Sequence, residues 1–162
     1  MSEETLRRYA DRVGYSEAQR EVFREGGHRV RHVGRLAQVA RRHTIEVEVT
    51  ESRHCNSGHE VGQKLALDVD GNLLTELCPK RVCLYLLSQL AVPVALINER
   101  LSEGLDPNDF HFMRHVRCPD AGVECLGYGE VRVAVRVVPR RSRGSLRRDP
   151  AEKPRQEGVG ET

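Results

Sequence analysis

The sequence predicts an α+β fold: a small, mainly antiparallel sheet packed on one long helix, preceded by a helical extension and followed by a basic tail. Three observations carry this. Val131, Val133, Val135 and Val137 alternate with Arg132, Ala134 and Arg136, the period-2 pattern of a strand with one wet face. Ile45, Val47 and Val49 alternate with Glu46 and Glu48 in the same way. Between these strands, Val82, Cys83, Leu86, Leu87 and Leu90 recur at helical spacing.

Residues 1–43 read as helical. Leu6, Tyr9 and Val13 are three and four apart, and Ser16 with Gln19 three residues on forms a capping box before Val22 and Phe23. Gly26–Gly27 is a break, after which Val30, Val33, Leu36, Ala37 and Ala40 line one face of a further helix. Short amphipathic helices of this kind must dock on the domain or on a partner, so a protein partner or a second copy of the chain is expected through them. At Thr44 the pattern turns to strand, which sets the boundary of a domain spanning 44–138. Residues 51–62 read as loop. Lys64 to Val69 alternates again, and Asp70–Gly71 is a hairpin signal before a strand at 72–75. Cys78–Pro79 is expected to open the long helix, since proline suits a first helical turn. Pro93 should kink or end it, with a continuation closed by Gly104. A short strand is expected at 112–116. From Pro139 to the end, Arg, Pro, Gly, Ser and Glu dominate, a composition that predicts a disordered tail over 139–162.

Hydrophobic residues make up 38% and charged residues 31%, and no apolar run reaches the roughly 20 residues of a membrane helix, which excludes a membrane reading. The opening residues lack an apolar signal core, so a cytoplasmic location is expected. Net charge is +2, unevenly spread: ten basic against six acidic residues in 1–43, nine against fourteen in 44–138, and seven against four beyond. Nucleic acid is therefore a secondary candidate partner. Glu and Arg alternate in the N-terminal segment and no aromatics accompany the tail arginines, a pattern that reads as solvated faces.

In a reducing compartment, five cysteines read as metal ligands or reactive thiols rather than disulfides. Cys55 and His59 share a glycine-containing loop, Cys78 precedes the expected helix, and Cys118 again stands in a Cys–Pro step. Three thiols and one imidazole on connecting segments form a donor set suited to zinc or an iron–sulfur cluster. A helix start at Cys78 would favour its thiolate. Cys83 lies on the apolar stripe and reads first as packing, Cys125 reads equally as packing or as a ligand near Cys118, and both are further candidate ligands. The spacings match no zinc-finger or ferredoxin pattern in full. His54 adjoins Cys55 and reads as exposed, as do the pairs His28/His32 and His111/His115. No nucleotide-binding glycine fingerprint, GxSxG or HExxH is present.

Cys55 to Gly62 (CNSGHEVG), the helix-opening Cys78 and the late Cys118–Pro119–Asp120 together resemble a family of small bacterial and archaeal proteins of unknown function. Its pattern is a strand leading into C-x-x-G-H-x-x-G, a second cysteine opening a helix, and a late Cys-Pro-Asp before a final strand. The resemblance covers residues 44–138. It implies that Cys55, His59, Cys78 and Cys118 act as a unit, and it implies no activity; Cys83 and Cys125 lie outside the pattern. The expected function is a metal- or iron–sulfur-binding protein serving an enzyme system as an accessory, electron-transfer or assembly component. The alternatives are a small metal- or thiol-dependent enzyme, with Cys78 or Cys55 as nucleophile, and a nucleic-acid or protein-binding module with a structural metal site.

Overall fold

A computed structural model describes residues 3–140. Four strands form one wholly antiparallel sheet in the order β2-β1-β4-β3: β1 His43–Arg53, β2 Lys64–Leu67, β3 His115–Arg117 and β4 Glu130–Pro139. The α+β class expected from the sequence is the observed one. The register pairs Ile45 with Val137, Val47 with Val135 and Val49 with Val133. These residues, with Leu65, Leu67 and Val116, make the dry face of the sheet. The opposite face carries Glu46, Glu48, Lys64 and Arg136 in one network of ion pairs.

The helices cover the dry face. α1 (Glu3–Val13), α2 (Glu17–Glu25) and α3 (Gly27–Val39) precede the sheet; α4 (Leu84–Ser88) and α5 (Ala91–Ser102) are inserted between β2 and β3. The Ser16–Gln19 capping box is present, and Gly26 separates α2 from α3. The apolar faces of the first three helices are used within the chain: Leu36 joins the core cluster, Tyr9 stacks on Phe23 with ring centroids 5.4 Å apart, and Arg35 pairs with Glu103 beyond α5.

The single long helix expected from Cys78 onward is two helices, and the first begins at Leu84. Pro79 forces the residue before it out of helical geometry, so Cys78 is extended (φ −106°, ψ 158°) and residues 79–83 remain irregular. Pro93 does not kink a helix. It stands in the first turn of α5, where its absent N–H has no helical acceptor to lose. Its ring would crowd the carbonyl four residues back, and the break falls there, at Gln89–Leu90. Gly104 (φ 71°) closes α5 as expected, with Leu105 N–H donating to Arg100 O. The strand expected at 72–75 reduces to a single bridge, Leu67 to Leu73, followed by a short 3-10 turn at Thr75–Leu77. β4 runs to Pro139; the tail expected to be disordered lies, from 141 on, outside the described residues. No helix among the described residues is long and apolar enough to cross a membrane.

Candidate functional site

Register decides what the far end of the sheet presents. A bulge between Val49 and Glu51 inserts Thr50 as an extra residue. Before it, odd-numbered residues of β1 face the core; after it, parity is reversed and Ser52 stands opposite Val131. The Ser52 hydroxyl then donates to His59 O and draws the Cys55–Gly62 loop over the open end of the core. Both glycines of that loop take left-handed backbone: Gly58 (φ 72°) closes a turn onto Cys55 O, and Gly62 (φ 84°) donates to Val49 O. The glycine positions of CNSGHEVG are thus required by the path of the loop.

His59 is 3% exposed. The Cys83 amide can only donate, so Nε2 accepts from it at 3.3 Å, and the proton lies on Nδ1, which bonds Gln63 Oε1 at 2.8 Å. This ties the loop to the start of α4. Cys83 is the N-cap residue of α4. Burial alone would raise its thiol. The N–H groups of Leu86 and Tyr85 and the Ser57 hydroxyl outweigh that and hold the thiol below the ordinary cysteine value. The sulfur closes no capping hydrogen bond, so the two amides act as dipoles near it.

On the other wall, β3 continues one residue past Arg117, with Cys118 N–H donating to Val131 O and Cys118 Sγ accepting from Val131 N–H at 3.2 Å. Asp120 then organises the loop to β4. Its Oδ1 accepts from Gly122 N–H and Tyr128 N–H, both at 3.0 Å, and these backbone donors hold its carboxyl below the usual range. Gly127 and Gly129 are places where a side chain cannot fit: a Cβ would collide with Asp120 Oδ1 at the first and with the Arg53 and His54 carbonyls at the second.

The result is a cleft of about 660 Å³ bordered by Cys55, His59, Cys83 and Cys118, with Leu84, Tyr85 and Tyr128 exposed around it. Three of the four expected ligands, Cys55, His59 and Cys118, border this cleft. Cys78 does not: its sulfur lies against β2, 3.4 Å from Ala66 N and 3.5 Å from Ala66 O. Cys83, five residues on, occupies the place expected of it. Cys125 is exposed in a 3-10 turn and is not among the cleft residues. His54 is exposed, and so are His28, His111 and His115, while His32 is partly buried. Among the described residues no three or more His, Cys, Asp or Glu side chains come together closely enough to hold a metal ion. As arranged, then, the donors share a cleft without forming a coordination sphere, and both His59 nitrogens already have partners. The sequence marks Cys83 only as a further candidate ligand, and Ser57, Gln63 and Asp120 not at all as site residues. Asp120 alone carried a local signal, an Asp two residues before a glycine, as in an Asx turn. Comparison of the chain with known protein families, with curated proteins and with solved structures finds no match.

Proposed function

We propose that the cleft is a thiol reaction site, that Cys83 is its reactive thiolate, and that the protein works as a small thiol-dependent enzyme of the cytoplasm. One observation carries this reading: Cys83, its thiol held below the ordinary value by nearby amides and a hydroxyl, lines the cleft together with two further thiols. Apart from the Asp120 carboxylate, the lining offers mainly apolar and aromatic surface, which suits an uncharged electrophile. In the step proposed, the Cys83 thiolate bonds to the electrophilic centre and the leaving group departs with its electron pair. Exposed Leu84, Tyr85 and Tyr128 supply apolar contact for a protein partner at the same place. Site-resolved alkylation with iodoacetamide at neutral pH tests it. Cys83 should react at least about threefold faster than exposed Cys125, although it is the less accessible of the two. Equal or slower reaction at Cys83 removes the proposal.

A second reading rests on a different observation, that three sulfurs and an imidazole from distant segments border one cleft. Here the protein binds zinc or an iron–sulfur cluster and serves an enzyme system as an accessory, electron-transfer or assembly component. Cys55, His59, Cys83 and Cys118 would be the donors, and His59 Nε2 would have to give up the Cys83 N–H. The family resemblance supports this reading for Cys55, His59 and Cys118. Anaerobic purification followed by metal and sulfide analysis decides it: near-stoichiometric metal supports it, and metal-free protein ends it.

A further inference from the structure

We propose that the groove between α1 and α3 binds a phosphate-bearing ligand through Arg12, Arg41 and His32. The groove measures about 660 Å³ and lies at the opposite end of the β1–β4 ribbon from the thiol cleft: Arg41 stands just before β1, and Arg140 just after β4. Val33, Leu36 and Ala40 line the groove, together with Arg8, Arg12, Arg41, His32 and one acidic residue, Asp70.

Within this groove most of the positive charge has no salt-bridge partner among the described residues. Arg20, Arg24, Arg35, Arg100, Arg117 and Arg136 each have a carboxylate partner. In the groove Arg8 pairs with Glu4, but Arg12 and Arg41 have no carboxylate within salt-bridge reach among the described residues. Arg12 lies over the Tyr9 ring, 5.4 Å from its centroid, a contact that positions the guanidinium and leaves its charge in place. Two more arginines adjoin, neither with a salt bridge among the described residues: Arg140 N–H donates to Arg42 O at 2.7 Å, and Arg140 Nη1 reaches Ala40 O at 3.3 Å. Like charges that outnumber their counter-charges concentrate anions from solution. Guanidinium forks match the paired oxygens of a phosphate. The volume exceeds what one phosphate fills and falls in the range of organic ligands, so the phosphate belongs to something larger. A free nucleotide and a nucleic-acid strand present that same group.

The test uses the full chain at low salt with two probes, ATP by calorimetry and a labelled oligouridylate by fluorescence anisotropy. The double variant Arg12→Gln/Arg41→Gln should lose at least about tenfold in affinity for the probe that binds. Arg41→Gln alone should lose less. The control Arg81→Gln/Arg114→Gln removes the same charge from exposed arginines outside the groove and should stay within about twofold. Far-UV circular dichroism confirms that each variant is folded. Binding of ATP without the oligonucleotide assigns a mononucleotide, and salt-sensitive binding of the oligonucleotide assigns a strand. The proposal is overturned if neither probe binds below about 1 mM, or if the groove variant binds as the unaltered protein does.

Discussion

The two ends of the β1–β4 ribbon are built on opposite principles. At the thiol end, polar atoms are answered from within the chain. His59 uses both nitrogens, Asp120 takes two amides, the Cys118 sulfur takes the Val131 amide, and the Ser52 hydroxyl takes the His59 carbonyl. At the basic end, Arg8, Arg12 and Arg41 line one groove with a single carboxylate, Asp70, and among the described residues Arg12 and Arg41 form no salt bridge. A site whose side chains are locked by internal bonds is suited to chemistry, because reacting groups must be held before the substrate arrives. A site of unpaired charge is suited to binding, because the ligand supplies what the chain leaves out.

Four changes sharpen or break that contrast. The largest stability effect is expected from His59→Ala, which opens a cavity and leaves the Cys83 amide and Gln63 without their partner. It should lower stability by about 2–4 kcal/mol in chemical denaturation and leave phosphate-probe binding at the other end unchanged. A shift no larger than that of a surface substitution would show that the loop is not locked as described. Gly129→Ala comes next. The added methyl has the Arg53 and His54 carbonyls in its way, and a loss of about 1–3 kcal/mol is expected, again without effect on the basic groove.

The third change separates two cysteines five residues apart. Cys78→Ala removes a weak sulfur contact with Ala66 and should lower stability by about 0.5–1 kcal/mol while leaving the alkylation rate of Cys83 as it was. If Cys83 slowed markedly in this variant, Cys78 would belong to the site after all. Smallest is Glu46→Gln, in the middle of the ribbon. Partial burial alone would raise the Glu46 carboxyl, but Arg136 and Lys64 outweigh it and hold it below the ordinary value. A carboxyl lowered in the folded state contributes stability that is present above its unfolded pKa, about 4.3, and lost as pH falls through the folded one. The variant should therefore lose under about 1 kcal/mol at neutral pH, the pair being partly exposed, and that difference should vanish toward acid. An unchanged difference in acid would refute the ion pair as its cause.

Much of the fold was legible because it rests on local patterns. The alternation at 45–49 and 131–137, the Ser16 capping box and the closing Gly104 each act within a few residues, and each stands where it was expected. The long helix was misread for an equally local reason. Pro79 suits a helix start but also bars Cys78 from helical geometry, while Pro93 marks an ending, as one of its two expected roles requires, with the second helix starting just before it. Cys83 was harder to see. Its place on an apolar stripe argued for packing, and indeed it lies against the core. What brings it to a cleft is the His59 ring on its amide, twenty-four residues away in the chain.

From the sequence alone came the α+β class, the strand faces, and the recognition that Cys55, His59 and Cys118 belong to loops that a shared site could use. Composition also showed where the arginines are dense. Only the tertiary structure decided that Cys83 and not Cys78 borders the cleft, and which of the described arginines meet a carboxylate. The physical reason is range. Alternation and capping are settled by neighbours along the chain, whereas the bulge at Thr50, the bonds of His59 and the pairing of each guanidinium depend on groups that meet only once the sheet has closed.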